Sequence, residues 1–205
     1  MASLRAMKIQ RTRKRIIEEA LRLFNKQGLA KTSITQIAEK AEIGTGTFYN
    51  YFESKEHLLG EVVRQESGKQ LRRVQNEPVS DNPKEAILQI ARALMSFKFK
   101  RSLLTEIYST IFDNWRGLKN MRPEIPMKDL IDDDMKTLEI IQNIFNRGRE
   151  AGKIRKNLDV SLASLTIYSC FIQCVIGYIV GYFPNKQATL KMFDAMVSMI
   201  FEGLV

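Results

Sequence analysis

The chain is poor in the residues on which most enzyme and metal chemistry depends. It has one histidine, His57, and two cysteines, Cys170 and Cys174, among 205 residues. Two cysteines exclude a disulfide-built scaffold and fit a reducing compartment. They lie four apart in an apolar run, on one face of a helix, and read as two buried thiols. One histidine far from both leaves no metal-ligand cluster, and no nucleophile motif is visible, so an enzyme is not expected. Eleven glycines and five prolines exclude a collagen or low-complexity chain. The N-terminus has no apolar core of a secretory signal. With 44% hydrophobic and 27% charged residues, the chain has ordinary globular usage and enough length for a real core.

The excess positive charge is localised. The formal charge is +9. Residues 1–75 hold 15 Lys/Arg against 8 Asp/Glu, while residues 76–205 hold 17 against 15. Arg5, Lys8, Arg11, Arg13, Lys14 and Arg15 all precede the first acidic residue. A basic head on a near-neutral body points to nucleic acid or an anionic membrane at the head.

One stretch, Val160 to Phe183, lacks charge over a length that could cross a bilayer. Ser161, Ser164, Thr166, Ser169 and Gln173 interrupt it, and no strong polybasic anchor flanks it. It reads instead as a helix buried in a core or subunit interface. Gly177 and Gly181 make a small-x-x-x-small step that would let two helix backbones approach closely. Leu162, Leu165, Ile172, Ile176, Ile179 and Val180 leave little polar face, so a monomer would expose a large apolar patch. Pairing with the Met192–Ile200 stripe of a second copy would hide it.

Helical periodicity runs through nearly the whole chain. Ile9, Ile16, Ile17, Ala20, Leu21 and Phe24 mark a first stripe, which Gly28 stops. Ser33 and Gln36 form a capping-box pattern. Ile43-Gly44-Thr45-Gly46 reads as a tight turn before a brief aromatic helix over Thr47–Tyr51, and Ser54 caps another helix. Asn76–Pro83 reads as a linker, with Asn82 and Pro83 opening the next helix. Arg101–Trp115 follows, with Tyr108, Ile111 and Phe112 inward, and then a loop at Gly117–Pro126. Leu130, Ile131, Met135, Leu138, Ile141 and Phe145 space as one long amphipathic helix, leaving Asp132-Asp133-Asp134 on the solvated face. Gly152 ends it. Asp159 opens the uncharged helix, Pro184 closes it, and Met192, Phe193, Met196, Val197 and Ile200 stripe the last. No strand pattern is evident, so the expected fold is all α.

The informative stretch is Ser33 to Lys55: a short capped helix, a glycine-containing turn and a second short helix. That is a helix-turn-helix layout, whose second helix enters the major groove. Small Thr45, Gly46 and Thr47 let the backbone come close. Asn50 can offer a paired donor and acceptor to an adenine edge. Tyr49, Tyr51 and Lys55 can reach phosphates.

In these residues the chain resembles the TetR family of bacterial transcriptional regulators. The likeness runs through Phe24-Asn25-Lys26-Gln27-Gly28, Thr32-Ser33-Ile34 and Ile37-Ala38. It is most specific at Gly46-Thr47-Phe48-Tyr49-Asn50-Tyr51-Phe52 and Ser54-Lys55-Glu56. Gly148 and Gly152-Lys153-Ile154-Arg155 resemble a common turn before the penultimate helix. The resemblance implies a three-helix DNA-binding domain, residues 1–53, joined to a larger helical ligand-binding and dimerisation domain, residues 54–205. It implies a cytoplasmic homodimer, a repressor released from a palindromic double-stranded operator by a small-molecule effector, without a cofactor, a metal or a membrane. Thr35, Thr45, Gly46, Thr47, Tyr49, Asn50 and Tyr51 would face DNA, and Lys55 would touch phosphate. The resemblance places an effector pocket in the body; Tyr108, Phe112, Trp115, Tyr168 and Phe171 are aromatics away from the head that could line it, and ordinary core packing is the other reading of each. Leu165, Ile172, Ile176, Gly177, Gly181, Phe193, Met196 and Ile200 would form the dimer interface. Asn50 stands where many members carry His, Gly44 where Ser often caps, Thr45 where Lys or Arg is frequent, and His57 where Glu is common. The competing reading is a helical dimerisation or membrane-anchored protein whose basic N-terminus binds polyanions without reading them.

Overall fold

A computed structural model describes residues 4–76, 79–115 and 127–203, with side chains described outside 110–131. The described residues are helical, without a strand, in the order α1 (Leu4–Gln27), α2 (Ile34–Lys40), α3 (Thr45–Tyr49), α4 (Lys55–Asn76), α5 (Pro83–Leu94), α6 (Arg101–Trp115), α7 (Met127–Glu150), α8 (Val160–Ile179) and α9 (Lys186–Glu202). The expected loop at 117–126 lies outside the described residues.

The predicted caps form. Ser33 accepts from the Gln36 amide while the Gln36 side chain accepts from the Ser33 amide, so two orphan donors of α2 are satisfied reciprocally. Asn82 caps α5 with Pro83 in the first turn, and Asp159 caps α8. The Ser54 hydroxyl accepts from the His57 amide at the start of α4. Asn185, next to Pro184, caps α9. Gly28 closes α1 at φ +83°.

The chain divides into two compact units. The first holds the residues up to Glu66 together with the segment from Lys98 through α6. Its core is Ile16, Ile17, Ala20 and Phe24 of α1, Ile37 and Ala38 of α2, Phe48 of α3, Phe52, Leu58 and Val62, closed by Leu103 and Ile107 of α6. Each buried Ile, Leu, Val or Phe among these contributes about 1.5–3 kcal/mol relative to exposure. The second unit holds Ser67–Phe97 and the residues from Lys128 onward. Its core stacks Phe145 on Phe201 at 5.9 Å and sets Phe171 edge-on to Phe193 at 5.4 Å.

Several expected positions shift. Ile9 is exposed because the first three turns of α1 precede the packed part of the helix. Tyr108 and Met135 face outward, not inward. Cys170 is only half-buried, whereas Cys174 is buried with its thiol 3.7 Å from the Met196 sulfur. Burial, reinforced by neighbouring Cys170, pushes the Cys174 thiol up.

Candidate nucleic-acid interface

The two short helices α2 and α3 are held by contacts that begin in the turn between them. After α2 the amide of Glu42 donates to Glu39 and that of Ile43 to Ala38, a paired closure that requires a left-handed residue. That residue is Glu42, at φ +51°, and not one of the glycines. Arg15 of α1 donates to the Glu42 carboxylate at 2.8 Å, which helps hold this costly conformation. Gly44 is the extended cap of α3 and supplies no side-chain bond. The helix therefore runs from Thr45 to Tyr49, starting and ending two residues earlier than the expected Thr47–Tyr51, and the predicted Ile43–Gly46 turn is shorter than expected.

Within α3, burial separates anchor from display. Phe48 is fully buried and packs on Phe52 at 5.8 Å. Thr45, Gly46, Thr47, Tyr49 and Asn50 are exposed, and so is Thr35 on α2. Tyr51 is half-buried. A Cβ added at Gly46 would meet nothing within 4 Å, so the backbone there is open to close approach. The exposed set brings hydroxyls, an amide and an aromatic edge to one surface with its backbone fixed from beneath. Such a surface can read base edges and grip phosphates.

Lys55 departs from expectation. Its ammonium donates to the carbonyls of Leu29 at 2.8 Å and Thr32 at 2.9 Å. It is committed to the α1–α2 connection rather than offered to phosphate. Thr32 is buried and donates to the Gly28 carbonyl at 2.7 Å, and Gln27 donates to the Lys31 carbonyl at 2.8 Å. These bonds fix where α2 starts. His57 is exposed, with its Nδ1 accepting from the Glu53 amide.

Sequence reasoning missed the polar contacts that tie distant segments to the head. Glu61 is buried and accepts from Arg13 at 3.0 Å and from Arg64 at 2.5 Å. Burial alone would raise its pKa, but the Arg64 and Arg13 hydrogen bonds and charges lower it to about 2. Asn25 bridges to the Lys98 carbonyl and the Lys100 amide, and Glu106 of α6 accepts from the Leu29 amide at 2.7 Å. Partners more than 70 positions apart leave no periodic or capping signal.

The second unit holds the other expected residues. Tyr168 and Phe171 line a gap of about 10 Å³ with Ile87, Ile90 and Phe193, room for little more than a water. The Tyr168 hydroxyl donates to Asp134 in a short hydrogen bond. Burial raises the Asp134 pKa against that bond. Tyr108 lies on α6 in the first unit, and the side chains of Phe112 and Trp115 fall outside the described residues.

On α8, its cap Val180 and α9, the side chains of Leu162, Leu165, Ile176, Val180, Met192 and Met199 are exposed, whereas Ile172, Met196 and Ile200 are half-buried. Phe193 is buried against Phe171 and cannot serve a partner directly. The Gly177–Gly181 step does not form a helix face. Gly181 sits beyond the end of α8 at φ +87°, and a Cβ on Gly177 would lie 2.6 Å from the chain's own Phe183 ring. Val160–Ile179 is long and apolar enough to cross a membrane by composition, with mean hydropathy 1.7. Its exposed face nevertheless includes Ser161, Thr166, Ser169 and Gln173.

Comparison with known proteins bears on this surface. Residues 16–62 match the family model described as bacterial regulatory proteins, tetR family. Over 92% of its length the chain is 24% identical to the fatty acid metabolism regulator protein of Bacillus subtilis, covering 93% of that protein. A TetR transcription regulator from Haloarcula marismortui superposes with a TM-score of 0.75 at 11% identity, over 95% of this chain and 98% of that one. The transcriptional regulator FadR of Bacillus subtilis, solved with stearoyl-CoA, gives a TM-score of 0.59 at 20% identity, over 94% and 99%.

Proposed function

We infer, from the membership of this chain in the tetR family of bacterial regulatory proteins, that it is a ligand-responsive DNA-binding transcriptional repressor. The observation that carries the reading is α3: buried Phe48 anchors it while Thr45, Gly46, Thr47, Tyr49 and Asn50 stand exposed. We assign these residues, with Thr35, to the major groove. Asn50 suits an adenine edge, and the hydroxyls of Tyr49 and Tyr51 suit phosphates. Lys55 acts through the α1–α2 connection.

The working unit is a homodimer, paired through the exposed apolar residues of α8 and α9, in the cytoplasm. Its two α3 helices read half-sites of a palindrome spaced by about 34–36 Å, one helical turn. Residues 1–53 read DNA and residues 54–205 carry the effector site and the pairing surface. An effector acts by binding the released arrangement more tightly than the DNA-bound one, and only by that difference. Long-chain acyl-CoA thioesters are the first class to offer, because FadR of Bacillus subtilis was solved with stearoyl-CoA. A membrane-anchored protein with a non-reading basic arm is not favoured, since it leaves the α2–α3 surface unexplained.

The test is selection of bound duplexes from a random library by the effector-free protein at moderate salt. Enrichment of one palindromic motif is expected. Duplexes no richer in any motif than the starting pool would refute sequence-specific reading. The selected duplex then serves to screen acyl-CoA thioesters for release.

A further inference from the structure

Helix α1 is 24 residues long, yet its buried residues begin only at Ile16. The three turns before that carry six cations and no acid. Such a composition does not serve the helix itself. The first turn holds no acidic residue, and cations at this end oppose the helix dipole. Packing does not explain it either, because Leu4 is 83% exposed, Met7 49% and Ile9 46%.

Three of the cations already have partners. Arg13 pairs with Glu61 at 3.0 Å, Arg15 with Glu42 at 2.8 Å and Lys14 with Glu18 at 3.8 Å. Arg5, Lys8 and Arg11 are exposed and make no ion pair among the described residues. Helical spacing orders two of them. Arg15 reaches Glu42 in the turn that leads into α3. Positions 11 and 8 lie four and seven residues earlier, so they continue the face of Arg15. They are displaced along the axis by about 6 and 10 Å. The stripe therefore starts beside the turn that leads into α3 and continues from there toward the first turn of α1.

We propose that Lys8 and Arg11, with Arg5 at the end of the helix, bind backbone phosphates of the duplex beside the groove that α3 enters. This rests on the DNA-reading function inferred above and extends the contact surface beyond residues 16–62. Duplex DNA presents a charge every 1.7 Å or so of its axis, so cations spaced along a helix find phosphates without reading sequence. The stripe adds affinity and orientation, while specificity stays with α3.

The experiment compares the full-length protein with a Lys8→Gln/Arg11→Gln variant and a Lys191→Gln control, on the selected operator and on a scrambled duplex. Affinity is measured from 50 to 200 mM salt. Two phosphates per protomer make four per dimer, so the log–log salt slope is expected to shrink by about 3.6 in the double variant. Across that fourfold salt range the variant then loses roughly 150-fold less affinity than the wild type. The base preference and thermal midpoint stay as in wild type, and Lys191→Gln changes nothing. An unchanged slope in the double variant overturns the inference while leaving sequence reading intact. An unchanged slope with lost binding to vesicles of anionic lipid overturns it in favour of a membrane surface. Failure of the wild type to prefer the operator over the scrambled duplex overturns the DNA-reading function itself.

Discussion

Replacing Lys55 with alanine separates a clamp from a phosphate contact. The ammonium bonds two carbonyls, at 2.8 and 2.9 Å, on the connection between α1 and α2. A hydrogen bond from a charged donor contributes about 1.5–3 kcal/mol net when lost from a folded protein. Lys55 is half-buried, and water can replace part of both bonds. We therefore take about 2 kcal/mol for the pair together. At this chain length 1 kcal/mol moves the thermal midpoint by about 2–4 °C, so Lys55→Ala should lower it by about 4–8 °C. Operator binding should weaken as well, because Leu29 and Thr32 lead directly into the Ser33 cap of α2. The salt dependence of binding should not change. A lysine on phosphate would behave oppositely, with an unaltered midpoint and a salt slope smaller by about 1.8 per dimer. Calorimetry and operator titration at several salt concentrations give both readouts. A wild-type midpoint with the smaller slope would refute the clamp.

Other consequences follow from particular contacts. Glu61 is held near 2, below its ordinary 4.5, so its stabilisation is complete above about pH 4.5 and is lost as pH falls toward 2. The shift corresponds to about 3 kcal/mol, so Glu61→Gln should be less stable at neutral pH by roughly that amount and lose less on acidification, as urea melts across pH will show. Asn50→Ala should weaken operator binding by about 1–3 kcal/mol with no change in thermal midpoint, and should relax selection at one base pair of each half-site. Leu165→Asp with Val180→Asp should shift the proposed dimer toward monomer in sedimentation, because both side chains are exposed, Leu165 on α8 and Val180 at its C-terminal cap. Gly177→Ala should destabilise the protomer by about 1–3 kcal/mol through collision with Phe183, without a direct effect on pairing.

The fold was largely legible because its signals are local. Stripes at helical spacing, the Ser33–Gln36 pair, Asn82-Pro83 and Asp159 each act within a few residues of themselves. The exposed α3 residues were legible for the same reason, since buried Phe48 fixes which neighbours face out. What stayed hidden depends on long-range partners. Lys55 has the chemistry of a phosphate ligand, and only the placement of the Leu29 and Thr32 carbonyls reveals its actual use. The left-handed turn residue is Glu42, although nearby Gly44 and Gly46 carry the stronger local signal, and its partner Arg15 comes from α1, 27 positions away. The Gly177–Gly181 spacing looked like a helix-packing step, but the helix ends between the two glycines. Ile9 and Met135 fit the apolar period of their helices, yet both side chains stand exposed, because period alone does not say how far along a helix the packed stripe extends.

The most direct test of the central claim is the affinity of the effector-free protein for its selected palindrome against the same duplex with one half-site scrambled and with both scrambled, at one physiological salt concentration. A dimer that reads two half-sites through α3 should lose about 10³-fold or more when both are scrambled, with an intermediate loss for one. Equal affinity for all three duplexes would contradict the account, leaving a basic head that binds polyanions without reading them.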